Sequence, residues 1–218
     1  MRRKATCSLI TEIGILPAVR VSSAEDAAFA AEAVAMAGIP IVEITMTVPG
    51  AVEVIARLAR EYPELAVGAG TVLTPEVARE CADAGASFLT APGLDPEIVA
   101  FAAKHDMASL PGALTPTEVV TAWRAGADIV KVFPCTPVGG SNYIKSLKTS
   151  LPQIPIMAAG GVNQKTAMEF ILAGAEAIGI GTELIPRDAI AERSADRVRE
   201  LARRFLGFIK EARDRMRT

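Results

Sequence analysis

The chain has 218 residues, with 25 acidic and 23 basic side chains and a formal net charge of -2. A chain this close to neutral has no basic field to attract nucleic acid or an anionic membrane, so we expect neither partner. Half of the residues are hydrophobic and only 22% are charged, a balance typical of a buried parallel sheet covered by helices. We predict one domain over 1–218.

The cysteines and the apolar segments indicate the cellular compartment. Cys7, Cys81 and Cys135 are odd in number and form no CxxC pair, which argues against a disulfide framework and a structural zinc site. The basic start of the chain is followed by polar residues, and no window approaches the roughly 18 apolar residues of a membrane-spanning helix. We therefore expect a cytoplasmic protein.

Short apolar runs rich in Val and Ile alternate along the chain with Ala-rich amphipathic stretches, as in consecutive βα units. The pattern predicts an α/β fold, a parallel eight-stranded (β/α)8 TIM barrel, although the chain is shorter than the typical 250 residues or so. The predicted strands are 15–20, 41–46, 66–71, 87–90, 108–110, 129–133, 156–159 and 177–180.

Four stretches between the strands carry helix start signals, a capping Ser, Thr or Asp followed by Pro or an acid. Ala-Gly pairs ending at Gly38, Gly85, Gly126 and Gly174 mark helix ends, because glycine adopts the left-handed conformation there. We also predict an N-terminal helix within 1–14 that closes the barrel bottom, and a long arginine-studded C-terminal helix over 188–217 with a solvated face. The four capped helices are predicted over 24–37, 76–84, 97–104 and 117–125.

Several catalytic motifs are absent from the sequence. His105 is the only histidine, and its place late in a helix predicts a surface residue. There is no HExxH motif, no clustered His and Asp set with metal-ligand spacing, and no GxSxG elbow. Metal-assisted hydrolysis and serine chemistry are therefore disfavoured, and we expect neither a metal site nor a cofactor.

Lys131 is the one lysine that lies in an otherwise apolar predicted strand. Strand alternation places it on the same face as Ile129 and Phe133. Burial disfavours the charged ammonium form, so an amine at this position is suited to act as a nucleophile. The alternative is a lysine paired to a carboxylate as a structural strut in the core.

Glu43 is a second polar exception, a carboxylate inside the predicted strand over 41–46. A buried carboxylate can transfer protons during Schiff-base chemistry, which makes Glu43 and Lys131 natural partners. A simple internal salt bridge between the two remains the alternative.

Glycine pairs lie where the last two predicted strands end, at Gly160-Gly161 and around Gly181-Thr182. Barrel enzymes often hold phosphate through backbone N–H groups after these strands. Tight turns also require glycine, but two such pairs at these strand ends favour an anion site.

Six segments together resemble the KDPG/KHG aldolase family over nearly the whole chain. KDPG is 2-keto-3-deoxy-6-phosphogluconate and KHG is 4-hydroxy-2-oxoglutarate. The resemblance implies a metal-free, homotrimeric class I aldolase barrel that releases pyruvate plus glyceraldehyde 3-phosphate or glyoxylate from a 2-keto acid. The matching segments are Val42-Glu43-Ile44-Thr45, Gly68-Ala69-Gly70-Thr71-Val72-Leu73, Ala91-Pro92-Gly93-Leu94, Leu110-Pro111-Gly112, Val130-Lys131-Val132-Phe133-Pro134 and Ala159-Gly160-Gly161-Val162.

The resemblance also implies roles for individual residues. Lys131 becomes the Schiff-base lysine and Glu43 the general acid/base, while Thr71 contacts the pyruvate portion. Phe133 walls the site and Pro92 lines it. The phosphate-binding turns match Gly160, Gly161, Gly181 and Thr182, the last standing where some members have serine.

Two positions depart from the family pattern. Many members have an arginine four residues after the catalytic glutamate to hold the substrate carboxylate, but this chain has Thr47. Arg20, at the end of the first predicted strand, is our candidate replacement. Ala159 stands where the common motif has threonine, which leaves the aldehyde half of the substrate less defined than the chemistry.

Two other functions remain open at this point. A phosphosugar epimerase or isomerase barrel uses similar glycine turns but has no use for an imine-forming lysine. A non-catalytic trimeric scaffold or sugar-phosphate sensor has no need of Lys131 or Glu43, which both cost stability when buried.

Overall fold

The computed structural model of the protein describes residues 2–217. Strands and helices alternate along most of the chain. The strands are β1 (Ile15–Val19), β2 (Ile41–Thr45), β3 (Ala66–Gly70), β4 (Phe88–Thr90), β5 (Ala108–Leu110), β6 (Gly112–Ala113), β7 (Val130–Val132), β8 (Ile156–Ala159) and β9 (Ala177–Ile180). The helices are α1 (Arg3–Ile13), α2 (Ala24–Met36), α3 (Ala51–Glu61), α4 (Pro75–Asp83), α5 (Pro96–Lys104), α6 (Pro116–Arg124), α7 (Ser141–Ser150), α8 (Ala167–Leu172), α9 (Arg187–Ala191) and α10 (Ala195–Arg217).

The strands form one parallel sheet in the order β5-β4-β3-β2-β1-β9-β8-β7-β6. The two ends of this order, β5 and β6, are consecutive pieces of chain separated only by Pro111, which has no N–H group to donate to a strand ladder. The sheet therefore curves into a nearly closed barrel. The TIM-barrel prediction is confirmed, and the ninth strand is a short continuation of the predicted fifth.

The barrel strands are buried over most of their length, and β2 and β3 are buried at every residue. Ile, Val and Ala fill the interior, as expected for a parallel sheet covered on its outer face by helices. Glu43, in the middle of β2, is 2% exposed and thus lies inside this apolar layer.

Side-chain caps begin the four helices that the sequence predicts. Ser23, Thr74, Asp95 and Thr115 each accept a hydrogen bond from a backbone N–H in the first helical turn. The four glycines predicted to mark helix ends all have φ between 94° and 100°. These caps are satisfied by local bonds, which is why the sequence alone locates them.

Helix α1 covers the bottom of the barrel. The Arg3 guanidinium donates two hydrogen bonds to the Asp128 carboxylate, at 2.9 and 3.0 Å, and the Arg3 backbone N–H donates to Asp106 O. Asp106 and Asp128 precede β5 and β7, so the helix contacts the N-terminal ends of the strands. The predicted closing helix is confirmed for its described part, and Met1 lies outside the described residues.

The predicted long C-terminal helix is present, but it begins later than predicted. The single helix over 188–217 is instead α9 and α10, because Arg193 adopts φ 51° between them and ends the first helix. Trp123, for which the sequence favours core or helix packing and leaves an interface open, is 40% exposed. The buried residues of α6 are Val119 and Ala122, and Trp123 lies about 100° further around the helix than Ala122.

The surface carries the single histidine and the ion pairs of α10. His105 is exposed at the end of α5, as predicted. Arginines of α10 form ion pairs with acids of the same helix, among them Arg204 with Glu200 and Arg215 with Glu211. Across residues 2–217, no helix combines the length and apolar character needed to cross a membrane.

Candidate active site

Lys131, Glu43 and Thr90 form a polar cluster inside the barrel. Lys131 Nζ lies 3.9 Å from Glu43 Oε2, beyond hydrogen-bonding distance. Thr90 Oγ1 donates a hydrogen bond to Glu43 Oε2 at 2.7 Å and accepts a long one from Lys131 Nζ at 3.5 Å. The side chains of Lys131 and Glu43 are 13% and 3% exposed. Two groups of opposite charge are thus held together without a direct hydrogen bond.

Three strands bring this cluster together. Glu43 is the third residue of β2, Thr90 is the last of β4, and Lys131 is the middle of β7. Catalytic residues of barrel enzymes lie at the C-terminal ends of the strands, and Thr90 follows that rule. Lys131 and Glu43 meet as the sequence predicts, although Thr90, between them, was not singled out as a site residue.

Gly70, the last residue of β3, leaves space for the Glu43 side chain. A Cβ atom at Gly70 would overlap Glu43 Oε1 and Cδ. The backbone of Gly70 does not need glycine for a positive φ, so its role is close approach rather than a turn. Gly70 therefore leaves the space that the Glu43 carboxylate occupies.

A cavity of about 330 Å³ opens over Lys131 and Glu43. Lys131 lies 5.7 Å from the centroid of the Phe133 ring, a cation-π arrangement on the face that strand alternation predicts. The remaining lining comes from the ends of β1, β8 and β9 and the turns after them. It consists of Ala18, Arg20, Met157, Ala159, Gly160, Gly161, Val162, Asn163, Gly179, Ile180, Gly181, Thr182 and Glu183.

Two turns on this cavity expose backbone. Gly160 and Gly161 both have φ 86°, and a Cβ at either would overlap Pro134 or Thr136, so only glycine fits. After β9, Leu184 and Ile185 donate to the Gly181 carbonyl. The N–H groups of Thr182 and Glu183 precede these donors and cannot bond within the turn, as at the start of a helix. Such N–H groups suit an anion.

Arg20 is the one basic residue besides Lys131 among those lining the cavity. It is exposed and makes no ion pair with any other residue in 2–217. It also lines a neighbouring cavity of about 400 Å³, together with Thr47 and Arg187. Thr47 bonds to the Thr45 hydroxyl at 2.8 Å and does not line the cavity over Lys131. A guanidinium without a partner is available to an anionic ligand.

Two other sequence-predicted site residues also stay outside the cavity lining. Thr71 is half-buried and has φ 60°, a left-handed conformation that is uncommon for threonine. Pro92 is exposed, and its carbonyl packs so closely on Gly112 that a Cβ there would overlap it.

The three cysteines are free thiols, of which Cys81 and Cys135 are buried and Cys7 is partly buried. Burial raises the pKa of Cys81 and Cys135 to about 11 and that of Cys7 to about 12. Cys135 Sγ lies 3.4 Å from Gly160 O, beneath one of the glycine turns. Within the part of the chain that the structure describes, no group of three or more His, Cys, Asp and Glu is placed to hold a metal ion.

Comparisons with known proteins agree on one family. The family model "KDPG and KHG aldolase" matches residues 7–201. The KHG/KDPG aldolase of Escherichia coli is 31% identical over 197 residues, covering 90% of this chain and 92% of the relative. The 2-dehydro-3-deoxy-6-phosphogalactonate aldolase of Escherichia coli is 33% identical over 204 residues, covering 93% and 97%.

A solved structure is similar to this chain in fold as well as in sequence. A KDPG aldolase from Legionella pneumophila, solved with pyruvate captured as a covalent carbinolamine, superposes with a TM-score of 0.84 at 28% identity. The match covers 90% of this chain and 96% of that one. The barrel, the matched sequence and the similarity to these relatives lead to one conclusion: the chain belongs to the KDPG and KHG aldolase family of carbon-carbon lyases.

Proposed function

We propose that the protein is a class I aldolase that cleaves KDPG to pyruvate and glyceraldehyde 3-phosphate, KHG to pyruvate and glyoxylate, or both. One observation carries the proposal. The Lys131 amine has a single long hydrogen bond and lies 3.9 Å from a buried carboxylate, in a cavity large enough for a small keto acid. An amine left with unused bonding capacity beside a proton carrier suits imine chemistry.

In this proposal Lys131 Nζ attacks the C2 ketone of the substrate, and loss of water gives a protonated imine. Glu43 protonates the departing hydroxyl and then removes the proton of the C4 hydroxyl. The C3–C4 bond breaks and its electrons flow into the imine, which releases the aldehyde. The resulting enamine is protonated at C3, and hydrolysis frees pyruvate and Lys131.

The ends of the substrate are assigned to two parts of the cavity. Arg20 is proposed to hold the C1 carboxylate in place of the family arginine that is absent at Thr47. Gly160, Gly161, Gly181 and Thr182 are proposed to bind the phosphate through backbone N–H groups. This division gives KDPG, whose phosphate reaches the glycine turns, more contacts than KHG, whose second anionic end is a carboxylate on a shorter chain.

Three other residues have minor roles in the proposal. Phe133 walls the site, as its place beside Lys131 supports. Thr71 and Pro92 follow β3 and β4 outside the cavity lining. The proposed contact of Thr71 to the pyruvate portion, and the proposed lining role of Pro92, therefore require the substrate, or a small movement of these two turns, to bridge the distance.

The stereochemistry at C4 has a candidate determinant in Ala159. This residue is 4% exposed, lines the cavity and has no polar atom to bind a substrate hydroxyl. One relative acts on the phosphogalactonate, the C4 epimer of the phosphogluconate. Both epimers are therefore proper substrates to assay.

The test of the chemistry is trapping of a pyruvate imine. The folded protein is incubated with pyruvate and sodium borohydride, alongside an untreated control, and analysed by intact and peptide mass spectrometry. We expect one reduced pyruvate adduct, on Lys131. Folded protein without an adduct would contradict the class I mechanism and favour a phosphate-binding barrel such as an epimerase.

The test of the substrate is a cleavage assay that follows pyruvate release from KDPG, its C4 epimer and KHG. We expect the phosphorylated substrates to give the higher kcat/KM, and free inorganic phosphate to inhibit their cleavage. Equal kcat/KM for KHG and KDPG would contradict the phosphate assignment but leave the imine chemistry intact.

We also propose a homotrimer, as the resemblance to the family implies. Trp123 is 40% exposed and Leu73 is 61% exposed, and large apolar side chains of this kind are suited to a subunit interface. Light scattering after size-exclusion chromatography should give about three times the chain mass of 22.8 kDa. A mass equal to one chain would contradict the trimer.

A further inference from the structure

The gap between Lys131 and Glu43 raises the question of how protons pass between them. Their nearest charged atoms are 3.9 Å apart, which is too far for direct proton transfer along a hydrogen bond. Imine formation nevertheless needs a neutral amine to attack and an acid to expel water. A group within hydrogen-bonding distance of both would connect them.

Thr90 occupies that position. Among residues 2–217, its hydroxyl is the one side-chain group that hydrogen bonds to both Lys131 Nζ and Glu43 Oε2. The hydroxyl carries one proton, and the 2.7 Å bond commits that proton to the carboxylate. Its lone pairs are then free to accept from the lysine, so the three groups form a directed chain from amine to carboxylate.

The burial of Thr90 isolates this series of hydrogen bonds from solvent. Thr90 is 1% exposed and does not line the cavity over Lys131. Water therefore does not compete for the hydroxyl, and substrate does not contact it. A hydroxyl in such a place can hold the Glu43 carboxylate or transfer protons, and the second hydrogen bond, from Lys131, favours proton transfer.

We propose that Thr90 relays a proton from the Lys131 ammonium to Glu43, an inference that rests on the proposed aldolase function. In this step an Nζ–H bond breaks and an O–H bond forms at Thr90. The original Thr90 O–H bond breaks at the same time, and a new one forms at Glu43 Oε2. The hydroxyl ends unchanged, the amine becomes neutral and nucleophilic, and Glu43 becomes the acid that expels water from the carbinolamine.

The experiment compares Thr90→Val with Thr90→Ser. Valine keeps the shape of threonine but has no hydroxyl, whereas serine keeps the hydroxyl and loses a methyl group. Ser87→Ala is the matched control. Ser87 is the residue immediately before β4 and is 4% exposed. Its hydroxyl donates to Val67 O and bonds to neither Lys131 nor Glu43.

The readout is the rate of pyruvate adduct formation, from samples quenched with borohydride at timed intervals across a range of pH. We expect Thr90→Val to slow adduct formation by about 10- to 100-fold, since general acid-base groups contribute effects of at least this order. Thr90→Ser and Ser87→Ala should stay within about threefold of the parent protein. The pyruvate concentration for half-maximal rate should change little, because Thr90 does not line the cavity.

The pH dependence separates a relay from a structural role. Without the hydroxyl, the amine must lose its proton to solvent, so the rate for Thr90→Val should rise by about tenfold per pH unit where the parent rate is nearly flat. Circular dichroism and thermal unfolding confirm that each variant is folded at the assay temperature. Thr90→Ala, which also lacks the hydroxyl, replaces Thr90→Val if the valine variant does not fold.

Each outcome bears on the relay. A folded Thr90→Val with the parent rate and pH profile would overturn it and leave the aldolase proposal intact. Equal slowing in Thr90→Val and Thr90→Ser would also overturn it, because packing and not the hydroxyl would then matter. Absence of any adduct on the folded parent protein would overturn the proposed function and the relay together.

Discussion

Lys131 and Lys148 are equally withdrawn from water, with 13% and 14% of their side chains exposed, yet their surroundings differ. The Lys148 ammonium donates to Glu176 at 2.8 Å, Ile154 O at 2.9 Å and Pro152 O at 3.2 Å. All three of its hydrogens have partners. The Lys131 ammonium has one long bond, at 3.5 Å. Burial is thus shared by both lysines, whereas unused bonding capacity belongs to Lys131 alone.

Their carboxylate partners differ in the same way. Glu176 accepts from Lys148 at one oxygen and from the Ile156 backbone N–H at the other, at 2.6 Å. Glu43 accepts a single side-chain bond, from Thr90. In the Lys148–Glu176 pair every ammonium hydrogen and both carboxylate oxygens have hydrogen-bond partners, and the pair ties α7 to the strands. Glu43 and Lys131 keep hydrogen-bonding positions without a protein partner. We therefore expect unfilled hydrogen-bonding capacity, more than burial, to distinguish the proposed reactive pair from the structural one.

The strongest test of this comparison is Lys131→Met, which keeps a long apolar side chain and removes the amine. We expect aldolase turnover to fall by at least about a thousandfold, because no imine can form without the amine. Pyruvate-borohydride trapping should give no adduct. Lys148→Met is the control, and it should still form the adduct. An adduct of unchanged yield on Lys131→Met would remove Lys131 from the mechanism.

The comparison is sharpened by Gly70→Ala, which disturbs Glu43 without changing its chemistry. The new Cβ would overlap Glu43 Oε1, Cδ and Cγ, so the buried side chain must move away from Thr90. We expect kcat to fall by about 100- to 1,000-fold, the effect of a misplaced acid-base group, and the free energy of unfolding to fall by about 1–3 kcal/mol, because the buried carboxylate loses its hydrogen bond. Steady-state kinetics and urea unfolding measure the two effects.

Gly207→Ala is the matched glycine control. Gly207 lies exposed in α10, and a Cβ there meets nothing within 4 Å. Alanine should raise the free energy of unfolding by about 0.5–1 kcal/mol, because it has the higher helix propensity, and leave kcat unchanged. Parent-like kcat in Gly70→Ala would show that Glu43 does not need its present position.

Cys135 tests whether burial alone makes a group reactive. Burial raises the pKa of this thiol from 9.0 to about 11, so its thiolate is about 100-fold scarcer at neutral pH than that of an ordinary cysteine. We expect iodoacetamide to alkylate folded Cys135 at least about 100-fold more slowly than the urea-unfolded chain, as followed by peptide mass spectrometry. Rapid labelling of the folded protein would contradict this.

The raised pKa also has a consequence for stability. The unfolded chain releases the Cys135 proton from about pH 9, while the folded chain holds it to about pH 11. The unfolded state therefore binds fewer protons in this window, and stability falls as pH rises from 9 to 11. Urea midpoints measured across that range should decrease, and Cys135→Ala should weaken the decrease.

The sequence located the helices whose caps are local. The four helices predicted from capping residues all have side-chain caps in the structure. The three βα helices without predicted bounds, α3, α7 and α8, have none, and two of them begin after glycine. Their ends are set by packing against the barrel, which a local pattern does not encode. The break at Arg193 likewise depends on a backbone conformation that arginine rarely signals.

The site shows the same division. Lys131 and Glu43 were predicted because a charge in an apolar strand breaks a pattern. Thr90 was not predicted because threonine is common in strands, so one at a strand end carries little signal. Its proposed role emerges only when β2, β4 and β7 bring its hydroxyl between two side chains that are distant in sequence.

Lys148→Met completes the comparison from the structural side. The variant leaves Glu176 without its charged partner, although the carboxylate is 30% exposed and can still reach water. We therefore expect the free energy of unfolding to fall by about 1–3 kcal/mol, less than for a fully buried pair. Urea unfolding measures this loss, and Glu176→Gln in a double-mutant cycle isolates the coupling. A stable Lys148→Met that lost the pyruvate adduct would break the distinction, because a saturated lysine would then serve the chemistry.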